Sequence, residues 1–343
     1  MPTIKDVADF AQVSITTVSH VINGTRFVSD ELRARVEEAM TALHFKPNGL
    51  ARSLRMGQTK TIGLIVPDNS NLYFAEIARI IEDFGYQTGY SVILCNTDDD
   101  LEKETSYLDV LVNKKVDGVI FISAGGSGEN LQKLRRQNIP IVIADREFPD
   151  IAADLVLLDN QTGGYLATRY LIGLGHHRIA CISGSSLLTP SAQRVDGYRQ
   201  AMQEAGLEIA PNTIISGDFR FQSGETCMDQ LLDSAVERPT AVFVCNDMMA
   251  FGAIRSVRKH GLQLPADMSI VGFDNILLAQ AFSPALTTIA QPIQEMAEIA
   301  VSLLVQQMQR KADPKPIPEY QHIVLTPVLI ERDSCSAPRT QIH

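Results

Sequence analysis

From Thr59 to Asn275 the chain alternates apolar, strand-length runs with amphipathic segments. IGLIV is followed by FAEIARIIEDFGYQTG, YSVILCN by LEKETSYLDVLVNK, DGVIFIS by LQKLRRQN, and then comes IPIVIAD. After DLVLLDN a second series runs GGYLATRYLIGLG, RIACISG, QRVDGYRQAMQEAG, TAVFVCND, MAFGAIRSVRKHG and MSIVGFDN. A strand that must be followed by a helix before the next strand can only enter a parallel sheet, so this alternation predicts an α/β fold with helices covering both sheet faces. The two series predict two similar, doubly wound subdomains in tandem. The first is expected at about 59–160 and 291–320, and the second at about 161–290 and 321–332. A helix from about Pro292 to Gln309 and a strand at IVLTPVLIE should complete the sheets, leaving 333–343, with the polar SAPRTQIH, as a frayed tail.

Residues 1–60 are different. Three short helical patterns each carry a start signal: Thr3 before IKDVADFA with Asp6 three residues on, Ser14 before ITTVSHVIN, and Ser29 before DELRARVEEAMTAL. Only Gln12-Val13 separates the first two, which leaves room for a tight corner and therefore a helix-turn-helix, with Ala8, Val13, Val18 and Val21 to fill it. Residues 1–46 are thus a helix-turn-helix headpiece, 47–58 a hinge helix and linker, and 59–330 the body. The whole chain has a formal charge of -10, yet residues 1–60 hold eight Lys/Arg against six Asp/Glu, a net of +2 that leaves -12 on the body. A basic end on an acidic body suits a protein that meets a polyanion at that end alone.

In VSITTVSHVIN, Val13, Val18 and Val21 face inward, and Ile15, Thr16, Thr17, Ser19, His20 and Asn23 face out. Such an exposed face of Ser, Thr, His and Asn is a poor helix former and a serviceable reader of base edges in a DNA major groove.

At 343 residues with 45% hydrophobic and 20% charged residues, the chain has the composition of a soluble globular protein. Its apolar runs fall short of the roughly 20 residues of a membrane span, and MPTIKDVADF lacks the apolar core of a secretory leader. A cytoplasmic location is expected. Cys95, Cys181, Cys227, Cys245 and Cys335 are odd in number, widely spaced and without a CxxC pair, which reads as reduced core thiols. No metal or cofactor is expected. His176 and His177, in GHHRIA, sit in a turn entering a strand and are read as surface-turn residues. An enzyme is disfavoured, since GxxxxGK[ST], GxGxxG after the first strand and GxSxG are all missing and GGSGE at 125–129 is one residue out of step.

In open α/β sheets ligands sit beyond the carboxyl ends of the strands. Residues just after the strands here are Asn71, Tyr73 and Phe74, Asp145 and Arg146, Arg194, Phe219, Asn246, Asp247 and Asp274. Carboxylates, fork-shaped donors and aromatic rings form the set that a sugar wants: paired polar groups for neighbouring hydroxyls and a ring for its C-H face. Taken singly, each is equally a strand-end cap or a salt bridge between domains.

TIKDVADFAQVSITTVSHVINGTRFVSDELRARV, followed by ARSLR and ending in LIERDS at 329–334, resembles the lactose-repressor (LacI/GalR) family, above all its purine and ribose repressors, over roughly 95% of the chain. The resemblance implies a homodimeric transcriptional repressor on a nearly palindromic operator, with a body like a type I periplasmic sugar-binding protein. It implies base contacts for Ile15, Thr16 and His20, and base or backbone contacts for Thr17, Ser19, Asn23 and Arg26. Leu54, beside Arg55, matches the wedge that enters the minor groove in two copies and kinks the operator, on a hinge segment expected to fold only on DNA. For the effector it implies Arg194, Asn246 and Asp274 on hydroxyls and Phe74 and Phe219 as stacking rings, beside Tyr73, Asp145 and Arg146. Purine repressors carry Arg and Thr where this chain has Leu188 and Pro190, and Trp where it has Arg146. LLTPSAQRVDGYR and VCNDMMAFG resemble the ribose branch, so a ribose-like sugar is the expected effector and a purine corepressor the alternative. A sugar-binding protein without a transcriptional role would lack the headpiece. SCSAPRTQIH has none of the leucine heptads of the family's tetramers, so a dimer is expected.

Overall fold

The structure is a computed structural model that describes residues 2–46, 58–122, 128–148, 151–185, 189–234, 238–310 and 320–339. It divides into two compact units, 1–59 and 60–343.

The first unit holds α1 (Ile4–Ala11), α2 (Ile15–Asn23) and α3 (Asp30–Ala42). The sequence signals are used as read: Thr3 and Asp6 close a capping box on α1, and the Ser14 hydroxyl accepts from the Thr17 N–H at 3.0 Å. Ser29 precedes α3 without a side-chain cap bond. Gln12 takes the left-handed conformation that turns the chain between α1 and α2, and Arg35 on α3 donates to the Ala11 carbonyl at 2.6 Å, tying that corner down. Val7, Ala8, Ala11, Val18, Val36 and Ala39 form the buried centre, with Val13, Val21, Met40, Leu43 and Phe45 packed around it.

The second unit is two lobes. The first contains β1 (Thr61–Val66), α4 (Leu72–Gln87), β2 (Ser91–Asn96), α5 (Leu101–Asn113), β3 (Gly118–Phe121), α6 (Glu129–Arg136), β4 (Ile141–Ala144) and β5 (Asp154–Leu158). The second contains α7 (Asn160–Gly173), β6 (Ile179–Ser183), α8 (Thr189–Glu204), β7 (Ile214–Ser216), α9 (Phe221–Ser234), β8 (Ala241–Val244), α10 (Asp247–Lys259), β9 (Ser269–Asp274), α11 (Leu278–Ala281) and β10 (Thr287–Ala290). The chain then returns through α12 (Ile293–Arg310), which packs on β3, β4 and β5, and ends with β11 (His322–Leu325) and β12 (Val328–Ile330). The sheets have matching orders, β2-β1-β3-β4-β5-β11 and β7-β6-β8-β9-β10-β12. Every pairing is parallel except β10 with β12. Central strands such as β3, β4, β8 and β9 are buried along their whole length, as a sheet covered on both faces requires.

The structure corrects the end of the chain. IVLTPVLIE is two strands, broken at Thr326-Pro327, because proline has no N–H for a ladder and the chain changes lobes there. β11 therefore joins the first lobe, whereas the sequence places residues 321–332 in the second. The tail is docked as far as Arg339: the Ser334 hydroxyl donates to the Ile270 carbonyl at 2.6 Å, Ser336 N–H to the Ser269 hydroxyl at 3.1 Å, and Arg339 pairs with Asp267 at 2.6 Å. His176 is the residue that the surface-turn expectation misplaced. It is 2% exposed. Its Nδ1 bonds the Thr240 hydroxyl at 2.8 Å, and its Nε2 lies 3.1 Å from the Ser269 hydroxyl and 2.9 Å from the Ser336 carbonyl.

Candidate functional site

The lobes are joined by three crossovers, after β5, after β10 and between β11 and β12. The carboxyl ends of both sheets meet beside them. Tyr73, near the start of α4, donates its hydroxyl across to Asp145 at 3.1 Å and lies 3.1 Å from the Gln291 side-chain oxygen. Gln291 in turn donates to Asp274 at 2.7 Å. Arg194, on α8, lies 3.6 Å from the same Asp274 oxygen. One polar chain thus runs from the first lobe through a crossover residue into the second.

Arg194 is aimed by its surroundings. Its Nε donates to Asn160 at 2.8 Å and its Nη1 to the Cys245 carbonyl at 2.6 Å, while its guanidinium stands 3.7 Å from the Phe273 ring centroid. A side chain at Gly164 of α7 would collide with the Arg194 backbone, so glycine there lets α8 come close enough. Phe219 leans over the Arg194 guanidinium at 6.0 Å and occupies the space beside Gly184. Phe74 packs edge-on against Tyr73, with ring centroids 5.0 Å apart.

Asp145 and Phe219, beyond the ends of β4 and β7, and Asp274, the last residue of β9, have φ of 74°, 68° and 107°. L-residues adopt that region at a cost of about 1–3 kcal/mol each, and such strain gathers at functional sites. Burial pushes the carboxyls toward the protonated form. Asp274 is raised to about 7, with desolvation outweighing Arg194 and Gln291, and Asp145 is raised for the same reason. Tyr73 is held well above its ordinary value by burial and by both carboxylates.

Arg146 differs from Arg194 in one respect. Its Nε and Nη1 are buried and have no hydrogen-bond partner, and the Ser191 hydroxyl on α8 is equally unmet. Unused buried donors are costly unless something else supplies acceptors. Asn246 lies in the site with both ends engaged, its oxygen capping α10 at Met249 and its amide donating to the Phe219 carbonyl at 2.9 Å. Asn71 caps α4, and Asp247 is a structural pin that accepts from Ile276 N–H and the Thr288 hydroxyl. Sequence reasoning missed Gln291 and Asn160. Their signal is position, since each stands where the chain passes between lobes.

On the headpiece, Ile15 is 48% exposed and Thr16 and Arg26 are exposed. Thr17, His20 and Asn23 are half-buried, with Thr17 bonded to Ser14, His20 Nδ1 to the Thr25 hydroxyl at 2.7 Å and the Asn23 amide to the Ser19 carbonyl at 2.8 Å. Ser19 is buried rather than outward, because the stripe around Val18 is wide enough to cover it. Leu54, Arg55 and Leu188 lie outside the described residues. Among the described residues no group of three or more His, Cys, Asp or Glu is arranged for a metal, and no helix is long and apolar enough to cross a membrane.

Residues 3–48 match the family model for bacterial regulatory proteins of the lacI family. Residues 59–318 match that for periplasmic binding proteins and the sugar-binding domain of the LacI family. The chain belongs to the LacI family. The Ribose operon repressor of Escherichia coli K12 is 41% identical over 97% of this chain and 100% of its own length. The transcriptional repressor PurR of Vibrio atlanticus is 40% identical over 97% and 98%. Among solved structures, a lac repressor dimer bound to operator and an anti-inducer superposes with a TM-score of 0.86 at 27% identity, covering 98% of this chain and 99% of that one. A LacI-family regulator from Enterococcus faecium with bound ribose gives 0.73 at 33% identity over 81% and 100%. As a LacI-family member the chain is a DNA-binding transcriptional repressor, with the helix-turn-helix and paired α/β lobes that its sequence predicted.

Proposed function

We propose that this repressor binds its operator as a homodimer and that a small neutral sugar of the ribose type, held between the lobes, sets its operator affinity. The carrying observation is the polar set of Asp145, Arg146, Arg194, Asp274 and Gln291, with Phe219 beside Arg194 and Phe74 against Tyr73, in which Arg146 keeps two buried N–H donors unused. A sugar ring has acceptors for those donors, hydroxyl protons for the carboxylates and a C-H face for an aromatic ring. The ribose held by the E. faecium relative supports this choice. Pro190, which offers no polar group to a base edge, and Arg146, which offers no stacking ring, disfavour the purine alternative that the PurR likeness raises.

At the other end, Ile15, Thr16, Thr17, His20, Asn23 and Arg26 are the DNA-facing set. Ser19 acts through packing and through Asn23, and Leu54 and Arg55 supply the minor-groove wedge from the hinge. Large apolar residues left exposed on both lobes, such as Tyr86, Leu101, Leu277 and Val324, support pairing with a second copy, as does the dimeric state of the operator-bound lac repressor. Calorimetric titration with ribose, other pentoses, hexoses, hypoxanthine and guanine tests the effector. Saturable binding of a sugar with no heat from the purines is expected, and the reverse pattern overturns it. Light scattering should give a dimer; a tetramer would contradict the assembly.

A further inference from the structure

Phe219 and its neighbours form a rigid tip. The Phe219 carbonyl accepts from Asn246, Asp218 accepts from the Arg220 N–H at 2.9 Å, and the Ser223 hydroxyl donates to the Arg220 carbonyl at 2.9 Å. With φ of 68° at Phe219, the ring turns in against Gly184 and the next side chain, Arg220, projects toward the other lobe. There its Nε lies 3.8 Å from Oδ2 of Asp68. Asp68 is prepared for this partner, because its Oδ1 already accepts from the Ser70 N–H at 2.9 Å and hydroxyl at 2.6 Å. Asp98 and Asp99 follow β2 in the left-handed conformation; Asp98 is already paired with Lys103, and Asp99, whose pKa burial raises, feels Arg220 as an opposing positive charge. Among the described residues Arg220–Asp68 is the only ion pair that joins the two lobes.

We propose that Arg220 is an electrostatic clasp at the mouth of the interlobe site, drawing the lobes together through Asp68, with Asp99 adding to the attraction. Arg220 is a positioning residue: it acts on the distance between lobes and so on how long an effector stays. A pair whose arginine is 59% exposed is weak when both partners ride on one rigid body. Across a hinge the same small attraction acts on an equilibrium between open and closed lobes, where a modest bias shows directly as a changed release rate. Its strength also depends on ionic strength, because the pair is open to solvent. The clasp rests on the effector site proposed above for its consequence, though not for its existence.

Two measurements on the full-length protein separate the clasp from that site. Dipolar spectroscopy between one spin label on each lobe, without ligand, should show Arg220→Glu moving the lobes apart, since a carboxylate then replaces the arginine that faces Asp68. Arg199→Gln, which removes an arginine paired with Asp196 inside one lobe, should leave the distance as it is. Stopped-flow release of ribose should be about three- to tenfold faster for Arg220→Gln than for wild type at about 0.05 M salt, and the difference should fall within about twofold at 0.5 M, where the Debye length is only a few ångströms. An unchanged interlobe distance in Arg220→Glu, or a release difference that salt does not alter, overturns the clasp. Opening of the lobes in a protein that binds no ribose would support the clasp and reject the sugar site. Ribose binding with unchanged release and distance would reject the clasp alone.

Discussion

Asp274 shows how a single burial decision becomes a functional property. Its carboxyl, pushed up to about 7, is largely protonated at pH 6 and largely ionised at pH 8. A sugar hydroxyl donates more strongly to a carboxylate than to a carboxylic acid, so ribose should bind more tightly as pH rises through 7 and should expel a fraction of a proton. Calorimetry in buffers of different ionisation enthalpy measures that proton, and Asp274→Asn should abolish both the proton and the pH dependence. The sign is opposite for folding, because a raised carboxylate pKa means that the folded state prefers the proton and stability declines between the ordinary carboxylate range and pH 7. Arg146→Met should weaken ribose binding by about 1.5–3 kcal/mol, ten- to a hundredfold, since hydrogen bonds to a charged group are lost; an unchanged Kd would remove Arg146 from the site. Residues at strand ends were legible because parallel strands all deliver their carboxyl ends to one place. Gln291 and Asn160 were not legible, as crossover positions become visible only when the lobes are assembled. Ser19 was misread for a local reason: neighbouring Val18 sets the edge of the buried stripe, and Asn23, four residues on, closes over it.

Close helix pairs hold the site in register. Gly164 and Gly197 bring α7 and α8 together, and Gly224 and Gly252 do the same for α9 and α10. Gly164→Ala would force its Cβ into the Arg194 carbonyl, so a loss of about 1–3 kcal/mol in stability is expected, with a weaker effector site because Arg194 must shift. A melting curve and a ribose titration of one variant check both. Helices and strands were legible through period and caps, and Thr3 and Ser14 behave as their spacing required. The chain end was not. His176 was not legible either, because its partners, Thr240 before β8, Ser269 at the start of β9 and the Ser336 carbonyl on the tail, meet only in the folded chain. His176→Ala should cost about 1–3 kcal/mol by removing the buried hydrogen bonds that its ring makes to Thr240, Ser269 and the Ser336 carbonyl and by leaving a hole where the ring was. Burial lowers its pKa, so the folded state resists protonation: its contribution is present above the ordinary histidine value of 6.5 and is lost as pH falls below it. Denaturant melts of wild type and His176→Ala at pH 7.5 and 5.5 should converge toward the acid end.

For the whole molecule, the charge split between residues 1–60, net +2, and the remainder, net -12, was legible from counting, and with it the end that meets DNA. Two lobes of matching topology were legible from the repeated alternation, whereas the exchange of β11 and β12 between sheets depends on Pro327 interrupting what the sequence alone shows as one apolar run. Three crossovers and one polar chain from Tyr73 to Arg194 make lobe closure the natural output of filling the interlobe site. That closure should in turn reach the operator. Fluorescence anisotropy of a labelled palindromic duplex, titrated with the full-length protein at one stated salt concentration, with and without ribose, tests it most directly. Tight, salt-dependent operator binding is expected, with a Kd that changes at least about tenfold when ribose is present, a coupling of about 1.4 kcal/mol. An operator affinity that ribose leaves unchanged and hypoxanthine or guanine alters would contradict it.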